Sequence, residues 1–217
     1  MEKNYTFNLH KKYHWFYILA FSSLISCEKG TNVEKLTPQE DSLKTAMSTR
    51  FTSQQIEDKY QQRLHTKLIP DSILAKAFPT TLFGVKRDTL DVPSSNDIKE
   101  NPDFKTTALT ASYHADEALV RLGIIDCSEK FSSLTMKTSM IMETEYVNKV
   151  LENGFKKSQV YKGHILTTKE VKENGQLQSN IKLQLKERYF VDIYGTNISV
   201  EKLKLVIPQI KYQELPD

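Results

Sequence analysis

The chain is poor in the residues that would tie it together covalently or shape it around a cofactor. Of its 217 residues only two are cysteines, Cys27 and Cys127, and seven are glycines. The glycines are scattered, so no glycine-rich loop can cradle a phosphate, and no Gly-x-Ser-x-Gly elbow occurs. There is no internal repeat and no low-complexity tract. After the first 26 residues no apolar run approaches the length of a bilayer span. Charge of one sign is lacking too, since 30 Lys and Arg stand against 27 Asp and Glu. A balance this even argues against nucleic acid as a partner and gives no long-range steering field for anions.

What is present begins at the N-terminus. Lys3, Lys11 and Lys12, offset by Glu2, precede the apolar segment Trp15–Phe21, a Ser22-Ser23 step, and Leu24-Ile25-Ser26-Cys27. That order is the n-region, h-region and cleavage site of a secretory signal, with an h-region too short to remain as a membrane helix. The last four residues resemble the lipobox of bacterial lipoproteins, with branched Leu24, small Ser26 and then the cysteine. The resemblance implies a signal peptide over 1–26, a diacylglycerol on the Cys27 thiol, and acylation of the new amino group. It implies a chain attached to the membrane through that lipid, in the cell envelope, on the periplasmic or the surface side. Without Lys3, Lys11, Lys12 and Glu2 the formal charge falls from +3 to +1. A lipidated Cys27 leaves Cys127 without a disulfide partner. That thiol is either buried as a small hydrophobe or open to intermolecular pairing, and its place after Gly123-Ile124-Ile125-Asp126 favours burial.

Residues 27–36 read as the lipidated cysteine and a polar tether, and 37–78 as a helical arm. Thr37-Pro38-Gln39-Glu40 forms a capping box before Leu43, Met47 and Phe51. Thr52 and Gln55 repeat it before Ile56, Tyr60, Leu64 and Leu68, which predicts an amphipathic helix ending before Pro70. Asp71 is expected to cap a short turn that Pro79 stops.

The remainder, 79–217, reads as an α+β domain. A first strand is expected over Phe83–Leu90, and a loop over Asp91–Asp103. Thr107–Tyr113 and Leu119–Ile125 alternate with period two around a turn at His114–Glu117. Met136–Leu151 suits a helix loosely, with Gly154 as its stop. Val160–Val171 reads as extended, Asn174-Gly175 as a hairpin turn answered by Leu177–Leu185, and Lys186–Arg188 as a further turn before Tyr189–Tyr194. Ser199 caps a helix carrying Val200, Leu203, Val206 and Ile207, which Pro208 must end or kink. The fold class expected is α+β: an antiparallel meander sheet with a C-terminal covering helix and an N-terminal helical arm. The short apolar pattern through Phe78-Pro79, Gly84–Arg87, Ala111–Tyr113 and Arg188–Gly195 is similar to that of small uncharacterised envelope proteins, which implies a fold and no activity.

Candidate chemistry is sparse. His114 with Asp116 and Glu117 is the only close histidine–carboxylate cluster, and further metal ligands are not indicated. Glu143 with Glu145, and Glu170 with Glu173, have lysines nearby, the mark of solvated faces. His65 and His164 read as structural or exposed. No catalytic residue, metal or cofactor is therefore assigned. Tyr113, Tyr161, Tyr189, Phe190 and Tyr194 fall in expected strands, and alternation turns some of them away from the covering helix. Phe190 and Tyr194 are the candidate binding face, unless the Ile56–Leu68 helix covers it. The reading is a non-catalytic, lipid-anchored envelope protein with an envelope protein or glycan as partner. The alternatives are an immunity or inhibitor lipoprotein, or a small hydrolase whose site one sequence does not reveal.

Overall fold

Short turns reverse the chain between neighbouring strands, two residues long at Phe83-Gly84, Lys162-Gly163 and Asn174-Gly175 and three at Lys186–Arg188. φ is positive at both residues of Phe83-Gly84, Lys162-Gly163, Asn174-Gly175 and Lys186-Glu187, the twist that a tight hairpin needs. The computed structural model describes residues 37–92 and 106–217, all within one compact unit. The signal, Cys27, the tether and most of the expected Asp91–Asp103 loop lie outside the described residues.

Helices α1 (Pro38–Ser48) and α2 (Ser53–Leu64) both open on the expected capping boxes. The Thr37 hydroxyl accepts from the Glu40 amide while Glu40 accepts from the Thr37 amide, and Thr52 and Gln55 repeat the exchange. α2 stops at Leu64, earlier than its apolar stripe suggested. α3 (Asp71–Leu74) is one turn, continued by a 3-10 turn over Ala75–Ala77. Asp71 is its first residue and makes no side-chain cap.

β1 (Thr81–Leu82) and β2 (Val85–Lys86) pair with each other, and β3 (Thr89–Asp91) joins the main sheet. The single strand expected over Phe83–Leu90 is thus broken, because Phe83-Gly84 is itself a turn. The main sheet adds β4 (Thr107–Ala115), β5 (Ala118–Asp126), β6 (Asn148–Leu151) and β7 (Gly154–Tyr161). β8 (His164–Glu173), β9 (Gln176–Leu185) and β10 (Tyr189–Thr196) complete it. Its order is β3-β4-β5-β10-β9-β8-β7-β6, antiparallel throughout. The last strand in sequence lies in the middle, joining two meanders.

Two other expectations are corrected. Helix α4 (Glu129–Thr144) ends before Tyr146, and Val150 and Leu151 belong to strand β6. Gly154 opens β7 rather than stopping a helix, and a Cβ there would fall 1.9 Å from the Glu170 carbonyl oxygen. Likewise Val160–Val171 is two strands, because Lys162-Gly163 turns between them.

One face of the sheet carries Leu122, Ile124, Ile181, Leu183, Val191 and Ile193 into the larger core. It is covered by α5 (Val200–Leu203), the 3-10 turn Lys204–Gln209 and α3. Ser199 caps α5 as expected, its hydroxyl accepting from the Lys202 amide. On the other face α4 packs against β8, β9 and β10, where Met136 and Met140 meet Phe190 and Cys127. α2 packs on α4 and contributes Ile56 to this second core. The architecture is α+β, with an antiparallel sheet between a C-terminal cover and helices on the opposite face.

Candidate functional site

Strand alternation puts Phe190, Asp192 and Tyr194 on the α4 side of β10, and their surroundings differ sharply. Phe190 is 7% exposed and belongs to the second core. As an open binding residue it is corrected: α4 covers the end of the face where it stands. Tyr194, four residues along the strand, is half-buried and engaged in an interaction. Only the far end of the expected aromatic face is left for a ligand. Tyr113 and Tyr189 serve the other core, their hydroxyls donating to the carbonyls of Pro79 and Pro216.

At the edge of α4 is a cleft of about 10 Å³, lined by Ser139, Glu143, Thr167, Lys182, Gln184 and Phe190 among others. Glu143 is 6% exposed and Gln184 8%. Neither the Gln184 amide nor Glu143 Oε2 completes a hydrogen bond. The Arg50 Nε lies 2.9 Å from that carboxylate oxygen, close enough for an ion pair. Burial pushes the Glu143 carboxyl up to about 7, Glu187 adds to the rise, and Arg50 works against it. A perturbed acid in a cleft is a common sign of chemistry. Here the room suits a single water and no substrate.

The other titratable candidates are separated by the fold. His114 pairs with Asp88, Nδ1 to Oδ2 at 2.5 Å, on the exposed β4 end rather than with Asp116 or Glu117. His65 is exposed at the C-terminus of α2. The His164 ring stands edge-on to Tyr212, and burial lowers its pKa. Glu170 accepts from the Val200 amide at 2.7 Å and so anchors the start of α5. Glu145 and Glu173 are exposed. The Cys127 thiol is buried and pushed up to about 12 by that burial, which makes it unreactive. Among the described residues no three His, Cys, Asp or Glu side chains come together as a metal site. No described helix is long and apolar enough to cross a membrane.

Beyond α4 the same sheet face becomes polar. Lys182 and Asp192 face each other across β9 and β10, Nζ to Oδ2 at 4.0 Å, and Asn180 donates to Asp192. Burial raises the Asp192 pKa against the pull of Lys182 and Asn180. One register step on lies a row that crosses the whole sheet. Lys149 is opposite Lys156, Lys156 opposite Lys169, and Lys169 opposite Asn180. Asn180 is opposite Tyr194, and Tyr194 opposite Arg121. Sequence reasoning missed this row because its members come from six different strands. Each lysine alone looks like an ordinary solvated position.

No family model matches the chain, and no curated protein does. Among solved structures, the extracellular domain of PknH from Mycobacterium tuberculosis is similar at 8% identity and a TM-score of 0.31, covering 73% of this chain and 95% of that one. A likeness that loose carries no argument.

Proposed function

We propose that this chain is a lipid-anchored protein of the bacterial cell envelope whose α+β domain binds an envelope partner without catalysing a reaction. The anchor rests on the sequence alone, on the lipobox Leu24–Cys27 behind its basic and apolar regions. The observation that carries the binding reading is the polar half of the α4 side of the sheet. It is a broad floor of cations, amides and Tyr194 beside a helix, the kind of surface that recognises rather than transforms. The observation nearest to an enzyme is Glu143, and the cleft beside it is too small for a substrate.

The test has two readouts on the full chain expressed in a bacterium. Wild type should incorporate a fatty-acid analogue and fractionate with membranes, and Cys27→Ala should do neither. Unchanged labelling of that variant would remove the anchor. With the released Cys27→Ala chain as bait, an envelope extract should yield a saturable partner. Turnover of a small ester or amide substrate by the same chain would overturn the binding reading.

A further inference from the structure

The cation row on the α4 side of the sheet is costly as it stands. Like charges directly opposite one another in an antiparallel pair are destabilising, and Lys149, Lys156 and Lys169 form two such pairs in succession. Lys149 and Lys169 are exposed and Lys156 is half-buried. Among the described residues none of the three is in an ion pair. Burial and the like charges of Lys182, Lys149 and Lys169 pull the Lys156 ammonium down, with Glu145 alone opposing them. Lysine on an edge strand is a common guard against edge-to-edge pairing, and β6, where Lys149 sits, is an edge. That account fails for Lys156 and Lys169, whose strands β7 and β8 are flanked on both sides.

Resting on the binding reading above, we infer that the row Lys149–Lys156–Lys169, continued by Asn180, Tyr194 and Arg121, is a binding site for a linear anionic polysaccharide. Three successive cations at the ~4.8 Å strand spacing demand an anion with repeated charges along a line. The occupant is a chain rather than a bilayer, because α4 stands on the same face and holds a flat surface off the half-buried floor. Tyr194 and Asn180 in the middle of the row suit sugar rings, which take an aromatic face and can donate a hydroxyl to the Asn180 amide oxygen, its nitrogen being held by Asp192 and the Ile193 carbonyl. A double-stranded nucleic acid would call for a strongly basic domain, and this chain carries a formal charge of only +3.

The test compares the full chain with its K156Q/K169Q variant. Both substitutions relieve repulsion, so the variant should melt no lower than wild type and a loss of binding cannot be put down to unfolding. Polygalacturonate, an unbranched uronic-acid polymer, is the probe, with neutral dextran, phosphatidylglycerol vesicles and single-stranded DNA in parallel. Wild type should bind polygalacturonate more weakly as salt rises and should ignore dextran. The variant should bind about tenfold more weakly, 1.4 kcal/mol shared between one exposed and one half-buried charge contact. Equal binding by both proteins overturns the inference. So does a lysine-dependent difference seen only with vesicles or only with DNA, which would assign the row to a membrane or a nucleic acid. Capture of an envelope protein that ignores K156Q/K169Q would overturn this inference and leave the binding function standing.

Discussion

Glu143 illustrates how one side chain comes to carry a solution property. Its carboxyl has a pKa raised from 4.5 to about 7, first by burial, with Glu187 adding and Arg50 opposing. A group held up in this way keeps its proton in the fold where the unfolded chain has already released it. Its contribution to stability is therefore whole below pH 4.5 and is lost as pH rises through about 7. The difference amounts to roughly 3 kcal/mol at the upper end. Glu143→Gln stays neutral at every pH, and Arg50, partly exposed, can turn to water. Urea melts at pH 5 and pH 8 should show wild type losing stability between them and the variant losing little. Parallel losses in both proteins would mean that another group titrates.

At the scale of elements, the hairpins define the sheet, and Asn174-Gly175 offers the cleanest test. Gly175 has φ +80°, and nothing lies within 4 Å of where a Cβ would be. With no clash at the Cβ, the cost of Gly175→Val is chiefly backbone strain, on the order of 1–3 kcal/mol. A thermal melt unchanged from wild type would show that the turn adapts at no cost. The helices follow local rules just as closely at their starts, where Thr37, Thr52 and Ser199 each accept from an amide three residues on. α2 ends at Leu64 all the same, because the chain beyond it is drawn to the sheet, where the Ile69 amide donates to Asp126.

The whole molecule converges on one buried ion pair. Arg188 meets Asp126 through two bonds of 2.9 Å, Nε to Oδ1 and Nη2 to Oδ2. The same carboxylate accepts from the Ser128 hydroxyl and the Ile69 amide, and the guanidinium donates to the carbonyls of Lys67 and Asp217. The arm's exit, the ends of β5 and β9–β10, and the C-terminus are thereby tied at a point only 3% exposed or less. Removing one partner strands a buried charge, which typically costs 3–5 kcal/mol. Asp126→Ala should lose about that much in urea titration, in a single transition that includes both cores. A loss under 1 kcal/mol would show that water reaches Arg188 readily.

What the sequence determined by itself was everything set within a few residues. The capping boxes at Thr37 and Thr52, the Asn174-Gly175 turn, the alternation of β9 and β10 and the Ser199 cap are local rules, legible without a fold. Lys162-Gly163 and Phe83-Gly84 escaped notice because their first residues are not the usual turn formers, although they adopt the same backbone. Only the tertiary structure decided what each face meets. Alternation places Phe190 and Tyr194 on one side of β10, but says nothing of α4 covering the first and stopping short of the second. Nor can it align Lys149, Lys156 and Lys169, since opposition across strands depends on the length of each turn between them. The physical reason is that periodicity is a property of a segment, whereas burial and cross-strand charge belong to the register in which segments meet.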